Sequence, residues 1–179
     1  MQRRSLLKTI LLAAGGFCVT SGQVFAKTYL SVEQAQKSLC KGASLRPVPV
    51  KLTKEQMKSI QAACKVRVRN SDMKTWKTGD GGWFIVDQII GKHEFIDIAV
   101  ALSPSGKVKG IEVLEYRESY GHEVANPKWL AQFIGRGPGK RLEIDKDIRN
   151  ISGATLSSVH ITEGINRLTE TWAQVLRSA

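Results

Sequence analysis

The chain has 179 residues, of which 27 are basic and 16 acidic, giving a formal net charge of +11. This length suits one domain with one hydrophobic core. Basic residues are spread along the sequence and no basic run interleaves with aromatic residues, which argues against a nucleic-acid-binding protein. The charge instead favours an anionic cofactor, an anionic partner surface or the anionic face of a membrane, with much of it on solvated surface.

Residues 1–26 are predicted to be an export signal. Arg3, Arg4 and Lys8 form a basic start, and the apolar run over residues 10–19 is too short to span a bilayer comfortably. Small residues before Lys27 suit cleavage after Ala26. The paired arginines also resemble a twin-arginine signal, and an ordinary secretory signal stays an alternative. We therefore expect a periplasmic or otherwise extracytoplasmic protein whose mature chain has no transmembrane helix.

Residues 27–70 are predicted to form an N-terminal helical segment packed on the domain that follows. Ser31 with Gln34, and Thr53 with Gln56, are capping boxes that each start a short helix. The proline-containing residues 46–50 between them predict an extended connector. Residues 66–69 alternate valine with arginine and predict a half-exposed strand, whereas the polar residues 70–82 predict a loop.

The two predicted helices each carry a cysteine near the end, Cys40 and Cys64. In an oxidising compartment we expect the two to lie close in space and to form a disulfide, which would stabilise the fold by roughly 3 to 4 kcal/mol. Two buried free thiols are the alternative, since unpaired cysteine packs well as a small apolar residue.

Residues 71–179 are predicted to be the main domain. Apolar runs over residues 83–90, 96–102 and 108–117 are separated by turn residues, which predicts an antiparallel meander. With helices before and after the sheet, the predicted class is α+β, a single domain after the export signal.

A charged, aromatic loop follows the third strand of this meander and contains Tyr120, Gly121, His122 and Glu123. Loops that leave a rigid sheet often carry binding sites. The three histidines of the chain show no metal-ligand spacing, so no metal site is predicted. A short helix is expected from Pro127, with its aromatic residues in the core.

Small residues then precede a long amphipathic helix, in the order Ser152, Gly153, Ala154, Thr155, Leu156, Ser157. Helical periodicity begins just after them and places Thr155 at or just before the helix N-terminus. Backbone N–H groups and the helix dipole favour an anion there. An ordinary N-cap is the alternative, because Ser or Thr before an apolar helix usually serves as one.

The Ser-Gly-Ala-Thr motif, the Tyr120–Glu123 loop and the Trp129–Gly135 stretch together resemble the FMN-binding domain family. That family includes flavin-bearing subunits of the sodium-translocating NADH:quinone reductase and of Rnf-type electron-transport complexes. The resemblance covers roughly residues 82–176. It implies that FMN is the cofactor and that a flavin transferase esterifies its phosphate to Thr155.

The resemblance also implies the remaining cofactor-binding residues, which lie in the motif and in the loop: Ser152, Gly153, Ala154, Leu156, Ser157, Gly121, Tyr120, His122 and Glu123. Many family members carry Asp three residues before the motif serine. Here Arg149 holds that place, and Asp147 is the nearest acid that can substitute for it.

The resemblance and the predicted export together favour a flavoprotein that carries electrons between a membrane-bound redox partner and an extracytoplasmic acceptor. No residue is identified as a separate catalytic acid, base or nucleophile, which favours a carrier over a substrate-converting enzyme. Two alternatives stay open: a flavin-dependent reductase of a small extracytoplasmic substrate, and a flavin-free binding module of the same fold.

Overall fold

The structure is a computed structural model that describes residues 26–179. Residues 1–25, which hold nearly all of the predicted export signal, lie outside the described residues. The described part of the chain forms seven strands: β1 Lys27–Thr28, β2 Leu45–Pro47, β3 Val50–Lys51, β4 Asp72–Thr78, β5 Trp83–Ile90, β6 Phe95–Leu102 and β7 Val108–Tyr116. The α-helices are α1 Val32–Cys40, α2 Lys54–Cys64, α3 Pro127–Leu130 and α4 Thr155–Gln174. Short 3-10 helices cover His122–Ala125, Ala131–Phe133 and Leu176–Ser178.

The strands form one antiparallel sheet in the order β1-β7-β6-β5-β4-β2, with β3 pairing β4 beside that path. Its centre is the consecutive meander of β5, β6 and β7, whose positions match the three predicted strands. The predicted α+β class and antiparallel meander are therefore confirmed. No helix within residues 26–179 is both long and apolar enough to cross a membrane.

Helices cover both faces of the sheet because side chains alternate along each central strand. One face, with Phe84, Ala99 and Leu114, packs against α1. The other face carries most of the apolar core and packs against α4. Helix α2 lies on α4. This arrangement places the first residue of α4 beside the end of the sheet at which β7 finishes.

Both predicted capping boxes are confirmed. Ser31 Oγ accepts from Gln34 N (3.2 Å) and Gln34 Oε1 accepts from Ser31 N (2.7 Å). Thr53 and Gln56 make the same reciprocal pair at 3.2 and 2.8 Å. Each pair satisfies two backbone N–H groups that helix geometry leaves without partners, which explains why these short helices begin where they do.

Strand β4 corrects two local predictions. The predicted loop over residues 70–82 contains this strand, and the predicted connector over 46–50 contributes the strands β2 and β3 that pair with it. Polar residues suit β4 because it has partners on both edges, and the buried Thr75 hydroxyl donates to Val48 O. Pairing of β2 with β4 also crosses the predicted segment boundary at residue 70, and that boundary stays a prediction.

The predicted strand over residues 66–69 is wrong, because this segment has no strand partner and runs as irregular backbone. Its alternation has another cause. Val68 is buried against Leu52 and Ile60 of the small cluster around α2, while Arg67 and Arg69 are exposed. The alternation of buried and exposed residues in this segment therefore comes from its packing on α2, and not from pairing with a neighbouring strand.

The predicted proximity of Cys40 and Cys64 is also wrong. Both thiols are free and buried. Cys40 packs with α1 on one face of the sheet, whereas Cys64 belongs to the α2 cluster on the side of α4. The sheet separates the two, and burial raises the pKa of each thiol. The structure thus agrees with the alternative prediction, in which Cys40 and Cys64 are two buried free thiols.

Candidate functional site

Helix α4 begins at Thr155, as predicted, but Thr155 is not its N-cap. The N-cap is Ala154, which has no side chain that can accept a hydrogen bond, and no other side chain of the described residues caps the helix. Thr155 is the first helical residue, and its side chain is exposed. The ordinary interpretation of this hydroxyl as a helix cap is therefore excluded.

A tight turn leads into the helix. Ala154 N donates to Ile151 O at 2.9 Å, and Gly153 has a φ of +85°, a conformation that side chains disfavour. A Cβ added at Gly153 would meet nothing within 4 Å. The turn therefore needs glycine for its backbone conformation, and the space around residues 152 and 153 is open.

The first turn of α4 presents unpaired backbone donors. Its first hydrogen bond runs from Ser158 N to Ala154 O at 2.9 Å. Helix geometry thus leaves the N–H groups of Thr155, Leu156 and Ser157 without intrahelical partners. Together with the helix dipole they stabilise an adjacent anion by about 0.3 to 1 kcal/mol, or more where the site is partly buried.

Asn150 orients the Thr155 hydroxyl. Its Nδ2 donates to Thr155 Oγ1 at 3.2 Å, while its Oδ1 accepts from Ile151 N at 2.8 Å. The Asn150 side chain thereby connects the start of the turn, at Ile151, to Thr155 at its end. Sequence reasoning missed Asn150, because a hydrogen bond over five positions across a turn belongs to no standard capping pattern.

The loop after β7 lies directly against this helix start. Gly121 is buried with a φ of +89°, and a Cβ there would lie 3.2 Å from Ala154 Cβ and 3.3 Å from Ser157 Oγ. Only glycine allows this close approach together with this backbone conformation. The structure therefore brings together the predicted residues Gly121, Ala154 and Ser157.

Tyr116 joins the loop to the helix. Its hydroxyl donates to Tyr120 O and lies 2.9 Å from Ser157 Oγ. Burial raises the pKa of Tyr116, and the nearby Glu118 and Glu123 carboxylates act in the same direction. The phenol is therefore protonated at neutral pH; its one proton goes to Tyr120 O, so the Ser157 hydroxyl is the donor in the second bond. Sequence reasoning missed this residue because it looks like an ordinary strand residue at the end of β7.

Other predicted site residues are exposed around this contact. Tyr120 is 84% exposed and Leu156 is 45% exposed, so two large apolar side chains are in solvent in the loop and beside Thr155. Ser152, His122 and Glu123 are exposed as well. No hydrogen bond within residues 26–179 connects the side chain of His122 or Glu123 to the motif, and their part in binding stays a prediction.

The hairpin between β5 and β6 supports the same loop. Glu118 Oε1 accepts from His93 N at 2.5 Å and from Glu94 N at 3.0 Å. Partial burial of Glu118 works to raise the pKa of its carboxyl, but these backbone donors outweigh burial and lower it. The loop that carries Gly121 is thereby held at its base by an ionised carboxylate.

Helix α3 holds the segment that precedes the motif. Trp129 Nε1 donates to Arg149 O at 2.7 Å, and Gln132 Oε1 accepts from Arg149 N at 2.9 Å. Trp129 is buried and packs edge-to-face on Phe133, which confirms both as core residues. The Arg149 backbone is thus fixed on both sides, while its side chain is exposed.

Asp147 is engaged away from the motif. Lys140 Nζ lies 2.6 Å from its Oδ1, and Glu143 N donates to its Oδ2 at 3.2 Å. The bond from Lys140 lowers the pKa of the Asp147 carboxyl. The Asp147 carboxylate therefore stabilises the loop over residues 140–147. These contacts would have to break before Asp147 could replace the aspartate that the family carries three residues before the motif serine.

These features define a binding module whose helix N-terminus offers a hydroxyl and backbone donors to a phosphate. A family model described as FMN-binding domain matches residues 91–170. Over these residues the chain matches the FMN-binding domain family, and the cofactor that this match supports is FMN. The residues present fit that group: an exposed hydroxyl, free N–H groups, and open space around Gly153.

Among solved structures, the chain is similar to the crystal structure of NqrC from Shewanella oneidensis. The two share 20% sequence identity, with a TM-score of 0.42, over 80% of this chain and 71% of that chain. No curated protein matches the chain significantly.

Proposed function

We propose that this protein is an exported flavoprotein that carries electrons between a membrane-bound redox partner and an extracytoplasmic acceptor. FMN supplies the redox chemistry, because flavins exchange one or two electrons. The chain supplies position and electrostatics: a rigid sheet, a helix N-terminus, and a loop fixed against it by Tyr116 and Gly121.

The attachment point in this proposal is Thr155, through a phosphodiester to FMN. The observation that carries it is the placement of an exposed hydroxyl at the first residue of a helix whose cap has no acceptor side chain. A phosphodiester keeps one negative charge, which the free N–H groups of the first turn can stabilise. That stabilisation is about 0.3 to 1 kcal/mol and is too small to retain FMN by itself, so a covalent bond would do the retaining.

The bond would form by attack of Thr155 Oγ1 on the FMN phosphorus of a flavin dinucleotide, held by a flavin transferase. The nucleoside monophosphate half of the donor leaves, and the threonine proton goes to a base of the transferase. The Asn150 amide, 3.2 Å from Oγ1, keeps the hydroxyl in one orientation during this step. The mass of the chain rises by FMN less one water.

The proposals of export and of a redox partner rest on the amino-terminal sequence and on the charge. Residues 1–26 have the pattern of an export signal, and the acidic residues number 16 against 27 basic ones. A basic surface suits an anionic partner or the anionic membrane face, and it would speed their encounter. N-terminal sequencing of exported protein tests the first point, with Lys27 as the expected first residue.

Intact mass after acid precipitation tests the attachment. Protein made with a flavin transferase should carry FMN less one water, and Thr155→Ala should have the mass of the bare polypeptide. Ser178→Ala is the control, because Ser178 is exposed and lies outside the motif and the loop, and it should leave the adduct in place. An adduct that persists in Thr155→Ala would assign attachment to another residue, and bare wild-type protein with free flavin would make binding noncovalent.

A further inference from the structure

A groove of about 580 Å³ lies between β5, α4 and the irregular segment 65–70. We call it the edge groove. The Ser152–Ser157 motif and the loop over residues 120–123 do not line it. Its volume is in the range of pockets that enclose small molecules.

The edge groove exists because β4 leaves β5. The two strands pair from Lys77 with Trp83 to Lys74 with Val86 and then diverge, while β3 continues the register of β2 on the opposite edge of β4. Beyond Val86, β5 pairs with β6 alone in the described chain. Helix α4 closes the other side, where a Cβ at Gly164 would come 2.4 Å from Ile89 Cδ1.

Five basic and four acidic side chains line the edge groove. Four of the basic ones have no ion-pair partner among the residues that the structure describes: Lys65, Arg67, Arg69 and Lys74. Two acids of the lining are in ion pairs: Asp87 pairs with Arg167, and Asp97 shares Arg117 with Glu115. Asp72, also in the lining, is exposed and lies 3.9 Å from Lys51. The groove therefore favours an anion, with Glu163 as the remaining acid of its lining.

An unpaired polar atom lies in the wall. His160 Nδ1 is buried and has no hydrogen-bond partner within the described chain. That atom is closed to solvent, so a ligand would reach His160 through Nε2, which has no hydrogen bond within the described chain and is not buried with it. As an N–H, Nε2 can donate to a carboxylate oxygen.

Apolar side chains complete the lining. Met73 and Ile90 are half-buried, and Phe95 is 40% exposed at the rim. Apolar walls with a few convergent polar groups are the usual composition of a small-molecule site. The ligand that matches both properties has a negative charge and an apolar body.

We propose that the edge groove binds a small organic anion, a carboxylate carried on an aromatic or aliphatic body. The basic side chains of segment 65–70 attract the carboxylate, His160 donates to it, and the apolar wall covers the body. The proposal does not require FMN attachment. Both sites lie on α4, however, and His160 is about 7.5 Å further along the helix axis than Thr155, given a rise of 1.5 Å per residue.

The test is a titration of isotope-labelled protein, made without a flavin transferase, followed by NMR. Benzoate is the probe, benzamide is its neutral counterpart, and inorganic phosphate is an anion without an apolar body. Benzoate should shift the amides of Ile90 and Gly164 and the His160 ring, saturating with a dissociation constant of about 1 mM or below. Benzamide and phosphate should each bind about tenfold more weakly or not at all.

Variants assign the binding to the groove. Arg67→Gln with Arg69→Gln should weaken benzoate binding about tenfold, because both charges line the groove. Arg46→Gln with Arg141→Gln is the matched control, since these arginines are exposed and lie outside the lining; it should bind as wild type.

Four results would overturn the proposal. They are the absence of saturable shifts up to about 10 mM benzoate, equal binding of benzamide or phosphate, unchanged binding in the Arg67 and Arg69 variant, and loss of benzoate binding once FMN is attached. The last result would mean that the flavin itself occupies the groove. Because all other measurements use flavin-free protein, they are independent of whether Thr155 carries FMN.

Discussion

The Tyr116 hydroxyl lies 2.9 Å from the Ser157 hydroxyl and connects the end of β7 to the first turn of α4. The same phenol donates to Tyr120 O, so one side chain holds both the loop and the helix start. Ser157 is buried, and removal of its partner would leave a buried hydroxyl unpaired.

Tyr116→Phe should therefore lower the free energy of unfolding by about 1 to 2 kcal/mol, the cost of lost hydrogen bonds and an unpaired buried oxygen. Urea unfolding of flavin-free protein measures the change. Tyr120→Phe is the control, since its side chain is 84% exposed and should shift stability by less than about 0.5 kcal/mol. Equal effects of the two variants would contradict the role of the Tyr116–Ser157 bond.

Gly121→Ala should destabilise the protein more than Gly139→Ala. Both glycines have positive φ, +89° and +87°, so the backbone cost of a side chain is similar. A Cβ at Gly121 would come 2.7 Å from Tyr116 Oη, whereas a Cβ at Gly139 would meet nothing within 4 Å. The difference between the two unfolding free energies isolates this contact and should be about 1 kcal/mol or more. No difference would show that the loop moves away without cost.

Asn150→Ala should slow attachment of FMN without unfolding the protein. The exposed Thr155 hydroxyl then loses the donor that orients it, while no buried side chain is removed. The fraction with added mass at a fixed time with the transferase should fall about tenfold, and the unfolding free energy should change by less than about 1 kcal/mol. Asn70→Ala, exposed in a distant loop, is the control. Attachment at the wild-type rate would remove Asn150 from the proposed site.

Asp80 should titrate well below an ordinary aspartate. Its bond from Lys109 Nζ, at 2.6 Å, and the one from the Thr78 hydroxyl lower the pKa of its carboxyl from 3.8 to about 2. Because the folded-state pKa is the lower one, the stabilisation is fully present above about pH 4 and is lost as pH falls towards 2. NMR titration of the carboxyl carbon measures it. Lys109→Gln should raise the pKa towards 3.8, whereas Lys107→Gln, outside the pair, should leave it unchanged.

Cys40 and Cys64 should react as two separate thiols. Protein cleaved after Ala26 should yield two thiols in denaturant without any reductant, and the folded protein should react much more slowly because both are buried and burial raises the pKa of each. Cys64→Ala should yield one thiol. A chain that yields none until a reductant is added would contradict the separation of the two cysteines by the sheet.

The sequence by itself determined the features that depend on neighbours within a few positions. The capping boxes at Ser31 and Thr53, the three meander strands and the start of α4 at Thr155 follow from local hydrogen bonding and from periodicity. The FMN-binding motif belongs to this group too, because it is one short string of small and hydroxyl residues.

Only the tertiary structure decided what depends on distant partners. Polar β4 is a strand because β5 and β2 supply its hydrogen bonds, and the two cysteines are apart because the sheet lies between their helices. Gly121 lies against Ser157 across 36 positions, and the edge groove opens only where β4 diverges from β5 beyond Val86. Local sequence propensity does not predict these features, because each depends on which surfaces the folded chain brings together and buries.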